Sequence, residues 1–283
     1  MKIDTNTTIY ALIGNPVAKS LSPFIHNYVF DFLNQNKIYI AHKVSKEILL
    51  NVLEGVKALG YVGINVTIPH KIDVIKYLDD LDETAKKIGA VNTIKIVEGK
   101  LIGYNTDGIG FLDMLEENEV QLSGKKILVL GAGGAARAIS ITLAGTQISH
   151  LSVRNRTNER ADLLIAELTQ INNEVVFSNA SKKQSFREFN LVINATSIGM
   201  FPNIDEIPID LELINEDAIL CDIVYKPHLT KFLKLGLEKG RKVIFGIEML
   251  IAQALASQEI WQETKMDKVE IKRELQERLE LLI

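Results

Sequence analysis

The segment Lys126–Arg156, KILVLGAGGAARAISITLAGTQISHLSVRNR, constrains the fold of this 283-residue chain more tightly than any other. Its apolar run Ile127–Leu130 reads as a buried strand that ends in Gly131-Ala132-Gly133-Gly134-Ala135-Ala136, a fit to G-x-G-x-x-A. A helical run and a second strand, His150–Val153, follow. This is the βαβ unit that receives a dinucleotide pyrophosphate. Gly131 permits the tight turn, Gly133 lets the backbone approach phosphate, and Ala136 allows close helix–strand packing. The helix N-terminus then offers free N–H groups and a partial positive charge to the anion. Alone, the glycine pattern could serve only a turn; strands on both sides make it a binding unit.

The end of the second strand predicts which dinucleotide. An NAD-binding unit places Asp or Glu there to hold the ribose 2′-hydroxyl. Here the chain reads Arg154-Asn155-Arg156-Thr157, with Arg160 one turn on and no carboxylate at that place. Guanidinium forks suit a 2′-phosphate, so the expected cofactor is NADP(H) rather than NAD(H).

A chain that is 47% hydrophobic and 24% charged reads as globular and is large enough for two domains. Its formal charge of -4 makes it a poor electrostatic partner for nucleic acid or an anionic membrane. The single cysteine, Cys221, cannot form an internal disulfide and reads as a buried small residue, consistent with a reducing cytoplasm. The N-terminus carries no signal-peptide pattern, and Val243–Ala256 is too short and polar to span a bilayer. The five histidines are scattered and no C-x-x-C occurs, so no metal site is expected. The expected partner is a small molecule, and the chain a monomer or homodimer.

Strand–helix alternation precedes and follows the dinucleotide unit and implies mostly parallel α/β sheets. Strands are expected at 9–13, 38–44, 61–66, 91–97 and 101–105, the last two joined by the turn Glu98-Gly99-Lys100. Ser22 as N-cap with Pro23 opens a helix, Ser45 caps another to Leu59, and two more fill 70–77 and 82–88. A last helix, 266–281, docks by an apolar face of Met266, Val269, Leu275 and Leu279. Ligands in open α/β sheets bind beyond the carboxyl ends of strands. There the first half carries Gly14 to Pro23, Thr67 to Lys71, Asn92, and Asn105 to Gly108. Lysine and aspartate make a workable proton-transfer pair. Locally, however, Lys71 could be a solvated surface lysine, and Asp107 could merely N-cap the next helix.

The motifs GNPVAKSLSP, GINVTIPHK, GAVNT, NTDG, GAGGAARA, NRT, NATSIGM and VYKP, in that order along nearly the whole chain, resemble the shikimate dehydrogenase family. The resemblance implies an oxidoreductase of aromatic amino-acid biosynthesis that reversibly reduces 3-dehydroshikimate to shikimate with NADPH. It implies Lys71 and Asp107 as the catalytic pair. Ser20 and Ser22, helped by Tyr225, would hold the substrate carboxylate, and Asn65, Thr67, Asn92 and Gln253 the ring hydroxyls. For the cofactor it implies Gly131 to Ala135, Asn155, Arg156, Thr157 and Arg160. Thr196, Ser197 and Met200 would meet the ribose and nicotinamide region, with Val224, Gly246 and Met249 lining the nicotinamide pocket. Met249 could equally be core packing. Two positions depart from the common pattern. Tyr104 and Glu248 stand where many relatives carry a smaller or polar residue and a glycine, and they bear on substrate breadth rather than reaction class. The implied architecture is a two-domain α/β enzyme: residues 1–107, completed by helices in 249–283, bind substrate, and 108–248 form a doubly wound Rossmann NADP-binding domain, with the chemistry in the cleft between. The alternatives are a quinate/shikimate dehydrogenase of broader substrate or NAD use, and a non-catalytic ligand-binding paralogue.

Overall fold

In the computed structural model, residues 3–182 and 184–282 are described. They form two compact units, Met1–Ile109 with Ile251–Leu275 and Gly110–Leu250 with Gln276–Ile283. Residues 276–283, expected with the first unit, therefore group with the second.

The first unit contains β1 (Thr8–Gly14), α1 (Ser22–Phe32), β2 (Lys37–Lys43), α2 (Leu49–Ala58), β3 (Gly63–Val66), β4 (Asp80–Leu81), α3 (Glu83–Ile88), β5 (Thr93–Val97) and β6 (Lys100–Tyr104). The strand order is β2-β1-β3-β5-β6-β4. β1 is buried on both faces, as a central parallel strand should be. Ala11 and Ile13 join one core with Leu53 and Ile64, while Tyr10 and Leu12 join another with Phe30, Tyr39 and Trp261. The sheet is mostly parallel, as expected, with β5 alone running antiparallel to its neighbours β3 and β6. The physical cause is the two-residue turn Glu98-Gly99, whose φ values of 51° and 75° form the reversal that a β-hairpin needs.

Three local expectations change. Ser22 does not cap α1 but is its first residue, with Leu21 at the cap position and no side-chain cap. Ser20 Oγ instead accepts the Ser22 N–H at 3.2 Å, a local serine turn, and the Ile25 N–H donates to Leu21 O at 3.0 Å. Ser45 precedes a 3₁₀ turn, Lys46–Ile48, without capping it, and α2 starts only at Leu49. The stretch 70–77 contains a shorter 3₁₀ segment, Asp73–Tyr77. The β-branched residues Ile72, Val74 and Ile75 disfavour a full α-helix there. Lys71 is thereby left on the entering turn.

α4 (Asp107–Glu117) carries the chain onward to β7 (Lys126–Leu130), α5 (Gly134–Ala144), β8 (His150–Arg154), α6 (Asn158–Ile171), β9 (Val176–Asn179), β10 (Leu191–Asn194), β11 (Ile219–Asp222), α7 (Lys231–Glu238) and β12 (Val243–Phe245). The second sheet has the order β12-β11-β10-β7-β8-β9, and every pair in it is parallel. Chain order reverses between β7 and β10, the switch point at which doubly wound sheets bind ligands. Leu128, Val192, Leu220 and Phe232 share its core, and Cys221 is fully buried as expected. α8 (Gly246–Gln262) and α9 (Val269–Glu280) close the chain. Val269 is 81% exposed and is not part of the docked face; Ile271, four residues before Leu275 and eight before Leu279, replaces it, and all three are buried. Among the described residues no helix is long and apolar enough to cross a membrane.

Candidate active site

In the first unit, the turn after β3 and the start of α4 bring Lys71 and Asp107 together, with Nζ 2.6 Å from Oδ2. Asp107 is 6% exposed. Its carboxylate does not cap α4. Oδ2 accepts from Lys71, and Oδ1 accepts from Asn92 Nδ2 at 2.8 Å. The solvated-lysine and simple-cap alternatives are therefore not what these side chains adopt. The ion pair leaves Nζ with N–H donors to spare for a third group.

Asn92 fixes the aspartate in place. Its Nδ2 also donates to Thr106 Oγ1 at 2.9 Å, and its Oδ1 accepts the Thr106 backbone N–H at 2.8 Å. Asn105 Oδ1 accepts the Asp107 N–H at 3.0 Å, closing the turn that starts α4. Thr93 and Ser257 complete a buried hydroxyl cluster at 2.8 Å, and Ser257 Oγ also receives Asn65 Nδ2 at 3.1 Å. Asn65 Oδ1 accepts from the Tyr39 hydroxyl at 2.8 Å. Tyr39 stacks on His26, centroids 4.1 Å apart. Burial lowers His26 to a pKa of about 3, so the ring is neutral. Gln258 Nε2 donates to its Nδ1 at 3.1 Å.

The other expected substrate residues of this unit lie on neighbouring loops and on α8. Ser20 and Ser22 share a hydrogen bond of 3.1 Å and are half-buried. Among the described residues the Thr67 hydroxyl makes no hydrogen bond, and its side chain is half-buried. Gln253 is half-buried on α8, where its carbonyl accepts from Ser257 Oγ at 2.9 Å. Asn65 and Asn92, by contrast, are 6% and 3% exposed. Sequence reasoning missed Thr93 and Ser257. The only available signal for Ser257 was its spacing of four from Gln253, which puts both on one helical face.

In the second unit, Gly131 follows β7 with φ +114°, and a Cβ there would meet Ala195 O at 2.9 Å. Glycine is required on both counts. Gly133 is the N-cap of α5 and no side chain caps it. The first-turn N–H groups of Gly134, Ala135 and Ala136 therefore face outward without intrahelical partners. Ala132 and Ala135 are half-buried, and Ala136 is fully buried beneath the turn.

A groove of about 640 Å³ runs past the ends of β7, β8 and β10. Asn155, Arg156, Thr196 and Ser197 line it, as expected, and so do Ser181 and Lys182, which were not expected. No carboxylate lines it. Arg156 is exposed, and among the described residues its guanidinium has no acidic partner. Arg160 is exposed on α6 and does not line the groove, and Thr157 is the N-cap residue of α6. The groove, the free N–H groups and the close turn at Gly131 together fit a dinucleotide carrying an extra phosphate.

Asn194 and Asp222 anchor the neighbouring strand ends. Asn194 Nδ2 donates to Asp222 Oδ1 at 2.9 Å, and its Oδ1 accepts from Thr196 Oγ1 at 2.6 Å. Burial pushes the Asp222 carboxyl up to about 6, opposed by hydrogen bonds from the Val224 N–H, Thr230 and Asn194. Gly246 begins α8 where a Cβ would fall 2.6 Å from the Ile223 carbonyl group. Val224 and Met249 are buried, whereas Met200 is 46% exposed. Tyr225 is half-buried in this unit, and burial raises its phenol, which stays protonated. Glu248 reaches back to the Phe245 N–H at 3.4 Å and accepts from Asn118 Nδ2 at 2.5 Å. That helix-start role, resembling a capping box, accounts for a glutamate at this position. Tyr104 contributes its carbonyl, which accepts the Asn92 N–H at 3.1 Å.

The substrate binding domain profile of shikimate dehydrogenase matches residues 12–94, and the profile described as shikimate / quinate 5-dehydrogenase matches residues 114–201. The shikimate dehydrogenase (NADP(+)) of Methanococcus aeolicus is 44% identical over 267 residues, covering 94% of this chain and 95% of the relative. A crystal structure of a shikimate dehydrogenase in complex with NADP+ matches with a TM-score of 0.91 at 42% identity, covering 98% of this chain and 97% of that one. The shikimate 5-dehydrogenase of Thermus thermophilus, solved with NADP(H) and shikimate, matches with a TM-score of 0.86 at 34% identity, covering 95% and 99% of the two chains.

Proposed function

The chain belongs to the shikimate dehydrogenase family, and from that membership we propose that it catalyses the reversible NADPH-dependent reduction of 3-dehydroshikimate to shikimate. The observation that carries the chemistry is the Lys71–Asp107 pair at 2.6 Å, held rigid by Asn92. When bound, NADPH supplies the hydride that reduces the substrate carbonyl carbon. The carbonyl oxygen gains charge as this happens and needs a proton. Lys71 Nζ is the donor for that oxygen, stabilising the developing charge and then protonating it. Asp107 keeps Nζ aimed and carries the opposite charge beside it. In the reverse direction Lys71 accepts the hydroxyl proton.

Substrate recognition is assigned to the first unit, residues 1–107 with the C-terminal helical region. Of the paired hydroxyls, Ser22 offers an open O–H to a carboxylate, and Ser20 offers a second once it gives up its bond to Ser22. Tyr225, in the second unit, keeps its phenol proton as a donor. Thr67 presents an open hydroxyl to a ring hydroxyl, and Gln253 a side-chain amide. Asn65 and Asn92 reach a substrate hydroxyl only by exchanging one of their present partners. Each exchanged bond is near neutral, while an unpaired buried group costs about 1–3 kcal/mol, so the amides favour a polyol that replaces what it displaces.

The cofactor is assigned to the second unit. Gly131 to Ala135 would take the pyrophosphate on the α5 N-terminus, and Asn155, Arg156 and Thr157 the 2′-phosphate. Thr196, Ser197 and Met200 would flank the nicotinamide ribose, with Val224, Gly246 and Met249 behind the ring. The deciding assay follows NADPH formation from shikimate and NADP+, with quinate and NAD+ in parallel wells. Rapid turnover confined to shikimate with NADP+ is expected. Comparable efficiency with quinate or NAD+ would move the chain to a broader dehydrogenase. Silence in every well from folded protein that binds NADPH would remove the substrate assignment.

A further inference from the structure

We infer that Lys182 is a specificity-determining residue for the cofactor 2′-phosphate, an inference that rests on the NADP(H) reading above. The ribose edge of a dinucleotide lies beyond the second strand of the βαβ unit, here β8, whose end carries Asn155 and Arg156. β9 lies parallel beside β8, and neighbouring strands are about 4.8 Å apart. The ladder continues past the end of β9, where the Ala180 N–H donates to Val153 O at 2.8 Å. Ser181 then ties the two chain ends together. Its Oγ accepts the Asn155 N–H at 3.2 Å, and its own N–H donates to Asn179 Oδ1 at 2.8 Å. Lys182 is the next residue, so its backbone is held beside the Asn155–Arg156 turn.

Charge points the same way. Three cations, Arg154, Arg156 and Lys182, line the groove with no carboxylate among its lining residues. Arg154 lies over the Phe186 ring at 5.1 Å, which engages its guanidinium with the protein. Among the described residues Arg156 and Lys182 have no acidic partner. Two unpaired cations on adjacent strand ends form a dianion site, and a 2′-hydroxyl gives them nothing comparable to bind. Arg160, the residue expected from the motif to share this role, does not line the groove. Lys182 takes the position of the second cation.

The test is calorimetric titration of adenosine 2′,5′-bisphosphate and adenosine 5′-monophosphate into wild-type protein, Lys182→Ala and Lys182→Arg, at one salt concentration. The expected result is that Lys182→Ala weakens the bisphosphate about five- to twentyfold, the range of a solvent-discounted charge-assisted hydrogen bond, and the monophosphate less than about twofold. Lys182→Arg should retain most of the preference, and the KM for NADP+ should follow the same order with the shikimate KM unchanged. Undiminished bisphosphate preference in Lys182→Ala, or equal loss of both nucleotides, would overturn the role of Lys182 while leaving the NADP(H) reading standing. Equal affinity of wild-type protein for the two nucleotides would overturn the NADP(H) reading itself.

Discussion

Asn92 uses every hydrogen-bonding atom of its side chain inside the protein, and what it holds is Asp107 Oδ1 and the Thr106 backbone. The consequence is that Asp107 has one oxygen for Asn92 and one for Lys71, and Lys71 alone retains open donors. Replacing Lys71 with alanine should lower kcat by roughly 10²–10⁴-fold, the scale of lost acid–base catalysis. Cofactor affinity, measured by NADPH fluorescence titration, should stay the same; near-normal turnover would remove Lys71 from its role. Asn92→Ala should lower kcat and also stability by about 1–3 kcal/mol, because it leaves buried Thr106 and Asp107 atoms without a partner. Denaturant unfolding measures the second effect. Arg156→Ala should weaken NADP+ but not NAD+, and equal loss with both cofactors in steady-state kinetics would count against a 2′-phosphate role.

At the scale of elements, α8 matters for what it brings to the first sheet. Ser257 closes the hydroxyl cluster, Trp261 Nε1 donates to Ile94 O at 3.0 Å, and Gln258 holds His26 of α1. His26 has its folded pKa lowered to about 3 by burial, from an ordinary value of 6.5. The unfolded chain therefore binds a proton on this ring below pH 6.5 that the folded chain refuses. Stability from this residue is complete above about pH 6.5 and is lost as pH falls towards 3. Between pH 7 and pH 5 the loss should be about 2 kcal/mol, from roughly 1.4 kcal/mol per pH unit. His26→Gln should have a shallower dependence of unfolding free energy over that interval; an unchanged slope would assign the effect to other groups. The β7–α5 turn has a different vulnerability. Gly131→Ala places a side chain at φ +114° against Ala195 O and should destabilise by about 1–3 kcal/mol. Urea unfolding with and without NADP+ would register both this loss and weakened cofactor binding.

For the whole molecule, the division into two compact units predicts that ligands mark them separately. NADP+ at a hundred times its Kd should stabilise by about 2.7 kcal/mol, and hydrogen exchange should slow first at Gly133–Arg137. Shikimate should slow exchange around Ser20–Ser22 and Thr67–Lys71 instead; protection confined to the same unit by both ligands would contradict the assignment. The sequence determined the parts governed by local rules. The G-x-G-x-x-A turn, the missing acid after β8, and the strand–helix alternation each follow from backbone conformation or charge over short spans, and they sufficed for fold class and cofactor. Ser22 escaped the same logic because Ser20, two residues away, engages both its N–H and its hydroxyl, and the helix starts one residue earlier with Leu21 at the cap position. β5 did not escape it: the Glu98-Gly99-Lys100 turn joins two short strands, and such a turn sets them antiparallel. Lys182 lies in SKKQ, which has no pattern, and only the β8–β9 pairing brings it beside Arg156. Lys71 and Asp107 are 36 residues apart, and whether they were a solvated lysine and a helix cap or an ion pair depended on how β3, β5 and β6 pair. Side-chain type and spacing record what a residue can do. Which neighbour it does it with is fixed by long-range pairing and burial, and that was decided only in the tertiary structure.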